Sequence, residues 1–217
     1  MILDNEQNLA FVHIPHCGGS TLKLKLMEQP HRFSVHLPND VPPEFLANNE
    51  IGKDIGSFVE PIDHLPCKYA PEGYKVVTVV KNPFHREVSA YNLYLKFQML
   101  KGKNYFNTFE DYIKFKYLSE PDTDFFQFKT GRMCRDQYWY MHDGDKLATD
   151  YTFKLEDMSY IWSKFAPLYK LPLDAWENKV NQQTPKYLDF RRMYTQELVD
   201  IVTNSTKDCT FLNYSFE

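Results

Sequence analysis

The strongest constraint on the fold is the stretch Leu9–Met27, where an apolar run, a glycine pair and two hydroxyl residues follow one another directly. Leu9–Ile14 is short, mostly apolar and ends at Pro15, which predicts a strand buried on both faces of a parallel sheet. The leucines and lysines after the hydroxyls alternate as in a strand. They are nevertheless good helix formers and run toward Pro30, so we predict a helix.

The turn between this strand and helix has the composition of an anion site. Gly18 and Gly19 allow close approach of the backbone to a ligand, and Ser20 or Thr21 can cap the following helix. Several N–H groups then point outward together, as in phosphate-binding turns. An ordinary strand-to-helix turn with a glycine pair is the open alternative. A Walker loop is excluded, since its G-x-x-x-x-G-K-[ST] spacing is absent and no lysine directly precedes Ser20.

A second stretch repeats this order of elements. Lys75–Val80 reads K-V-V-T-V-V, the strongest signal for a buried strand in the chain. Lys81 follows it, and a helical pattern then covers Phe84–Leu100 after a proline. Ser89 comes eight positions after Lys81. A strand again delivers a cation and polar groups to the start of a helix.

Elsewhere the sequence predicts shorter elements. The predicted strands are Arg32–Leu37, Gly56–Ile62 and Tyr151–Leu155. The predicted helices are Val41–Asn48, Phe109–Leu118 with a Thr108 cap and Asp111 at the capping-box position, Met158–Tyr169, and a last helix capped by Thr195. Phe125–Met141 is an aromatic segment of mixed charge.

The bulk properties limit the possible classes of protein. With 217 residues and 43% hydrophobic composition, we predict one α/β domain spanning residues 1–217. The net charge of −4 argues against a generic nucleic-acid binder. The aromatic content of 16% indicates core packing or a platform for sugars and an adenine. The four cysteines form no C-x-x-C pair, so neither a zinc site nor a disulfide scaffold is predicted.

No signal-peptide pattern and no apolar run of 18 residues occurs in the sequence. We therefore predict a cytoplasmic protein without a membrane segment, or a chain trimmed of its leader.

Two motifs resemble the signatures of the carbohydrate sulfotransferases. Residues 11–21, F-V-H-I-P-H-C-G-G-S-T, are similar to the family's phosphosulfate-binding loop, F-V-H-I-P-K-T-G-G-T-S. Residues 79–91, V-V-K-N-P-F-H-R-E-V-S-A-Y, are similar to its second signature, V-R-N-P-x-x-R-x-V-S-A-Y. Both occur in the family's order, and weaker likenesses continue to the end of the chain. The resemblance includes the 2-O-type enzymes acting on heparan sulfate and related enzymes of the Golgi.

This resemblance implies a P-loop-like fold with a central parallel β-sheet flanked by helices. It also implies a co-substrate, 3′-phosphoadenosine 5′-phosphosulfate (PAPS), whose sulfuryl group passes to a hydroxyl or amine of a carbohydrate or other small acceptor. The product is 3′,5′-adenosine bisphosphate (PAP), and no metal takes part. Backbone N–H groups of Cys17, Gly18, Gly19 and Ser20, with the Ser20 and Thr21 hydroxyls, match the loop that holds the 5′-phosphosulfate.

The second signature implies the ligands of the donor's 3′-phosphate. Lys81 and Ser89 match these residues, with lysine in place of the family's arginine. This exchange keeps the charge but loses bidentate geometry, so weaker donor recognition follows. Arg86 also matches the signature, with an exposed ion pair to Glu87 or Asp111 as the alternative to phosphate contact.

The main departure is His16, which stands where the family has its catalytic lysine. That lysine donates to the oxygen that bridges sulfate and leaving phosphate. Free histidine has a pKa of about 6.5, and nearby phosphates favour its charged form. Our hypothesis is that His16 replaces the lysine as donor. Two alternatives stay open: a weakened PAP- or PAPS-binding protein of the same fold, and an ATP- and magnesium-dependent phosphotransferase, which the missing Walker lysine disfavours.

The general base has no direct match, because the family's histidine falls near residues 57–58. Glu60 and His64 are the nearest titratable groups, and His36 is more distant. His13 matches a family position and is interpreted as a satisfied, structural histidine. Gln137 and Arg135 are candidates for acceptor contacts, with ordinary surface polarity as the alternative.

Overall fold

The computed structural model describes residues 1–29, 31–36, 38, 64–101, 106–119, 135–171 and 189–217. The strands are β1 (Ile2–Asp4), β2 (Leu9–Val12), β3 (Phe33–Val35), β4 (Lys75–Val80), β5 (His142–Asp143), β6 (Lys146–Leu147) and β7 (Tyr151–Lys154). The α-helices are α1 (Gly19–Met27), α2 (Pro83–Lys101), α3 (Phe109–Leu118), α4 (Gln137–Met141), α5 (Met158–Leu168), α6 (Gln196–Ser205) and α7 (Asp208–Phe211). Short 3₁₀ turns cover Cys67–Tyr69, Leu155–Asp157 and Phe190–Met193.

Backbone contacts divide the chain into two compact units. The first unit comprises Met1–Val80 and Trp139–Gln183, and the second comprises Lys81–Tyr138 and Thr184–Glu217. A single domain over residues 1–217 stays a prediction.

The first unit is built on a mixed sheet with the order β3-β1-β2-β4-β7. β4 pairs in parallel with β2 and with β7, which confirms the predicted parallel arrangement at the centre of an α/β fold. β1 and β3 extend the sheet in the antiparallel sense. The turn of residues 5–8 is too short for a parallel crossover, so β1 and β2 form a hairpin. β1 is not among the predicted strands, because three residues carry almost no periodic signal.

The burial of the leucines after the glycine pair shows whether this segment is a helix or a strand. Leu22 and Leu26, one helical turn apart, are buried with Phe11, whereas Leu24 between them is 38% exposed. A strand would have placed all three leucines on one face. The predicted helix is therefore confirmed as α1.

A buried ion pair joins β1 to the residue just before β3. Arg32 Nε donates to Asp4 Oδ1 at 2.9 Å, and Arg32 Nη2 donates to Asp4 Oδ2. Asp4 is 0% exposed and Arg32 8%. Asp4 Oδ1 also accepts the backbone N–H groups of Glu6 and Gln7, so this carboxylate organises the β1–β2 turn.

The second unit is organised around an aromatic core between α2, α3 and α6. The Tyr91 ring lies 5.4 Å from Phe109 and 5.7 Å from Tyr112, measured between ring centroids. Leu198 and Val202, one turn apart on α6, are buried in the same cluster. Core packing thus accounts for the buried aromatic residues of this unit.

Local capping signals in the second unit were predicted correctly where the sequence showed them. Thr108 and Asp111 form the capping box of α3, and the Thr195 side chain caps α6. Asn82 was not recognised as a cap, although its Oδ1 accepts the N–H of Phe84 at 3.0 Å at the start of α2. Pro83 then occupies the first helical position.

Arg86 is 2% exposed, so its interpretation as a residue on the helix surface is wrong. Its Nη1 lies 3.7 Å from Glu87 Oε1, and its Nη2 donates to Arg135 O at 2.7 Å. Glu87 also accepts hydrogen bonds at 2.7 Å from Lys116 Nζ and Tyr112 Oη. Burial alone would raise the pKa of Glu87, but the Lys116 and Arg86 charges outweigh it and lower that pKa.

Several predictions fall outside the described residues: the helix Val41–Asn48, the strand Gly56–Ile62 and most of Phe125–Met141. In the part of the chain that is described, no helix has the length and apolar character needed to cross a membrane.

Replacing Arg32 with methionine should strongly destabilise the first unit. Arg32→Met leaves the buried Asp4 carboxylate without its cation, and such a loss costs about 3–5 kcal/mol. The free energy of unfolding in urea measures the effect. Arg191→Met is the matched control, since its ion pair with Asp189 is exposed and should contribute less than about 1 kcal/mol. Equal losses in both variants would contradict the assigned role of Asp4–Arg32.

Candidate functional site

The loop after β2 turns sharply into α1 through two residues with left-handed backbone. His16 has φ 66° and Gly18 has φ 75°. Cys17 N donates to Ile14 O at 3.4 Å, and Thr21 N donates to Gly18 O at 3.2 Å. Positive φ is uncommon for a residue with a side chain and often marks a functional turn. The loop therefore holds His16 in a constrained conformation two residues before Gly18.

Gly18 is the N-cap of α1, which corrects the prediction of a cap at Ser20 or Thr21. Those two hydroxyl residues lie in the first helical turn instead. A Cβ on Gly18 would meet Leu155 Cδ1 at 2.7 Å, in addition to the cost of its positive φ. Gly18 has no side chain to occupy the first N–H groups of the helix, and the first turn contains no acidic residue. These features favour an anion at the helix start.

Gly19 is required by contact with His13. A Cβ added to Gly19 would lie 2.1 Å from His13 Cδ2 and 2.8 Å from His13 Nε2. Since the imidazole is buried at 2% exposure, it has little room to yield. The two glycines thus have different functions: Gly18 allows the turn, and Gly19 allows the His13 ring to pack against the helix start.

His13 and His64 form a buried pair in the first unit. Their ring centroids are 4.3 Å apart, and His64 Nδ1 lies 2.8 Å from His13 O. A carbonyl oxygen only accepts hydrogen bonds, so His64 Nδ1 carries a proton and donates to the loop. This hydrogen bond fixes the orientation of the His64 ring beside His13.

His13 is structural, but its description as satisfied is wrong. Within the described residues, His13 Nδ1 is buried and has no hydrogen-bond partner. Burial lowers the pKa of His13 well below its usual value, and the nearby His64, Lys23 and His16 lower it further. His13 is therefore neutral near pH 7 and acts as a packing element of the loop.

In the second unit, the structure brings the predicted pair Lys81 and Ser89 together. Lys81 Nζ donates to Ser89 Oγ at 2.7 Å, and Ser89 Oγ donates to His85 O at 3.1 Å. Lys81 is 7% exposed. Burial, assisted by the Lys81 charge, lowers the pKa of His85 to about 4. A cation and a hydroxyl are thus held side by side, as a phosphate ligand pair requires.

Gln137 is fully buried at 0% exposure, so its interpretation as surface polarity is wrong. Its side-chain amide bonds the Lys81 backbone, and its neighbours include the buried carboxylate of Asp208. Arg135 is exposed and offers its carbonyl to Arg86. The sequence contains no local signal for the Gln137 contacts, because Lys81 and Asp208 are 56 and 71 residues away.

Of the candidate general bases, the structure describes His64 and His36 but not Glu60. His64 is buried beside the loop, whereas Glu60 lies outside the described residues. His36 follows β3, and its N–H donates to Met1 O at 3.0 Å.

No group of three or more His, Cys, Asp or Glu residues suited to a metal ion occurs among residues that the structure describes.

Comparison with known families decides the relationship of the chain. A family model described as the sulfotransferase family matches residues 1–209. The chain belongs to the sulfotransferase family. Membership implies sulfuryl transfer from PAPS, and the α/β fold with its partly parallel sheet is consistent with the sulfotransferase fold. Neither a search of curated proteins nor a search of solved structures returned a match.

Replacing Gly19 with alanine tests the contact with His13. Alanine is favoured over glycine by about 1 kcal/mol within a helix, so a net loss of stability reports a steric clash. We expect Gly19→Ala to lower the free energy of unfolding by about 1–3 kcal/mol, the usual cost of overpacking.

The same substitution in a His13→Ala background should be neutral or stabilising, since the obstructing ring is gone. Urea unfolding of the four proteins gives the coupling energy between the two positions. An identical effect of Gly19→Ala in both backgrounds would show that the His13 ring is not the obstacle.

Proposed function

We propose that this sulfotransferase moves the sulfuryl group of PAPS to a hydroxyl or amine of a carbohydrate or other small acceptor and releases PAP. The contact between Lys81 Nζ and Ser89 Oγ at 2.7 Å carries the proposal, because it joins the cation and hydroxyl that the second signature assigns to the 3′-phosphate. A carbohydrate acceptor and a cytoplasmic location stay predictions from the sequence.

The proposed site for the 5′-phosphosulfate is the loop after β2 in the first unit. We assign its oxygens to backbone N–H groups of Cys17, Gly18, Gly19 and Ser20 and to the hydroxyls of Ser20 and Thr21. The left-handed turn at Gly18 and the start of α1 without acidic residues support this assignment. Partial positive charge at a helix N-terminus favours such an anion.

We assign to His16 the role of the missing lysine. As the acceptor oxygen bonds to sulfur, the bond between sulfur and the bridging oxygen breaks, and negative charge develops on the 5′-phosphate of PAP. A protonated His16 stabilises this charge by donating a hydrogen bond to the bridging oxygen. Support comes from its position in the constrained loop, directly before the proposed phosphosulfate ligands.

The acceptor must lose a proton as its oxygen or nitrogen attacks sulfur. We propose His64 as the group that receives it, because its hydrogen bond from Nδ1 to His13 O orients an imidazole beside the loop after β2. Glu60 stays the alternative that the sequence predicts.

A non-catalytic PAP-binding protein is the second candidate function. It is favoured by one observation, the replacement of the family's catalytic lysine by His16. Such a protein binds PAP in the same way but releases none from PAPS.

Calorimetric titration with PAP tests the donor site. We expect Lys81→Ala to weaken PAP binding by about 10- to 100-fold, since hydrogen bonds to charged groups contribute about 1.5–3 kcal/mol. Ser89→Ala should weaken it less. Lys114→Ala is the control, because Lys114 lies in an exposed ion pair with Glu110. If the wild-type protein does not bind PAP, the proposed function is wrong.

The pH dependence of PAP release tests His16, with saturating PAPS and a panel of sugar acceptors. The protonated donor is lost as pH rises through the His16 pKa in the donor complex, so the rate should fall about tenfold per pH unit above it. His16→Lys should keep its rate to more alkaline pH, because lysine titrates near about 10.4. A wild-type rate that is flat from pH ~6 to ~9 would contradict the role of His16. Absence of release at every pH supports the binding protein.

A further inference from the structure

We infer that Gln137 and Asp208 are positioning residues for 3′-phosphate recognition: together they fix the main chain of Lys81, so that its ammonium group stays beside Ser89. This inference rests on the proposed donor site, in which Lys81 and Ser89 bind the 3′-phosphate. All four residues belong to the second unit.

The side chain of Gln137 forms hydrogen bonds with both the backbone N–H and the backbone carbonyl of Lys81. Lys81 N donates to Gln137 Oε1 at 2.8 Å, and Gln137 Nε2 donates to Lys81 O at 2.8 Å. These two bonds imitate the pair that a neighbouring β-strand would provide. Lys81 is the first residue after β4, so the glutamine continues main-chain pairing beyond the end of the strand.

Asp208 in turn fixes the orientation of Gln137. Asp208 Oδ2 accepts Gln137 N at 2.9 Å and Gln137 Nε2 at 3.1 Å, and its Oδ1 accepts Tyr138 N at 2.7 Å. The second bond determines which end of the glutamine amide is the donor, because a carboxylate oxygen accepts. Gln137 Nε2 therefore points to Lys81 O, and Oε1 is directed to Lys81 N.

The network is buried, so its hydrogen-bonding groups have little access to water as an alternative partner. Gln137 is 0% exposed and Asp208 2%. Burial raises the pKa of Asp208, while the charge of Arg86 acts in the opposite direction. Unmade hydrogen bonds are costly in such surroundings, so the network strongly favours one arrangement.

The consequence for the donor site is a pre-oriented lysine. A lysine side chain is flexible and makes no bidentate contacts, whereas the planar guanidinium of the family's arginine is pre-organised. Fixing its main chain and holding Nζ at 2.7 Å from Ser89 Oγ removes part of this freedom before a phosphate arrives. The two hydrogen bonds with Gln137 thus offset part of the 3′-phosphate affinity that is lost when lysine replaces arginine.

A comparison of two nucleotides separates positioning from general stability. PAP carries the 3′-phosphate and adenosine 5′-monophosphate does not, so the ratio of their dissociation constants measures recognition of that phosphate. We expect the ratio to fall about tenfold in Gln137→Met, which keeps the side-chain length but removes both bonds to Lys81. Gln137→Glu should lower the ratio at least as much, because one oxygen of its carboxylate would face two acceptors, Lys81 O and the buried Asp208 carboxylate.

Asp208→Asn is a second test of the network in case Gln137→Met does not fold. The ratio of the two dissociation constants should fall in this variant as well. Glu87→Gln is the matched control in the same unit. It alters another buried carboxylate with several hydrogen bonds, but Glu87 makes no recorded hydrogen bond to Lys81, Ser89 or Gln137 within the described residues. We expect it to reduce thermal stability while leaving the ratio unchanged.

The outcomes distinguish this inference from the proposed function. A wild-type protein that binds PAP no better than adenosine 5′-monophosphate overturns the 3′-phosphate assignment and the inference with it. A wild-type preference that persists in folded Gln137 and Asp208 variants overturns the inference alone. An equal fall in Glu87→Gln also overturns it, because the effect would then follow from general loss of packing.

Discussion

The contact between the His13 ring and Gly19 determines how the chain leaves β2 and enters α1. The ring fills the space where any other residue at position 19 would place its Cβ, at 2.1 Å from His13 Cδ2. Because the ring is neutral and buried, it packs like an aromatic side chain and brings no charge to the start of the helix. The N–H groups of the first turn therefore keep their partial positive charge for a ligand. His64 completes the arrangement by bonding the carbonyl of the same histidine.

Each unit also contains a buried network of charged groups. Asp4 with Arg32 in the first unit and Glu87 with Lys116 in the second are almost fully excluded from solvent. Such pairs add little net stability relative to apolar residues, because desolvation offsets their attraction. These pairs instead disfavour incorrect packing. A wrong register of β1, or a rotated α3, would leave a charge buried without its partner. Both networks therefore favour one packing arrangement over alternatives of similar hydrophobic burial.

Much of the fold could be predicted because its signals are local. The capping box at Thr108 and Asp111, the Thr195 cap and the run of valines in β4 each lie within a few residues. The turn from β2 into a helix was also predictable, although its cap was assigned to the wrong residues. Gln137 was misjudged because a polar residue in a short aromatic segment resembles a surface residue. Its burial follows from partners far along the chain, which a single sequence does not reveal.

The chain departs from the family's motifs at His16 in the first unit and at Lys81 in the second unit, and the two exchanges differ in their chemistry. At position 81, lysine replaces the arginine of the family, and hydrogen bonds with Gln137 fix the main chain of this lysine. Histidine in place of lysine changes the chemistry itself, because imidazole donates to the leaving oxygen most effectively when protonated. Its left-handed backbone at φ 66° holds His16 in a constrained loop. In the proposed mechanism, turnover therefore requires an imidazole that is protonated when the donor is bound, whereas binding of the donor does not.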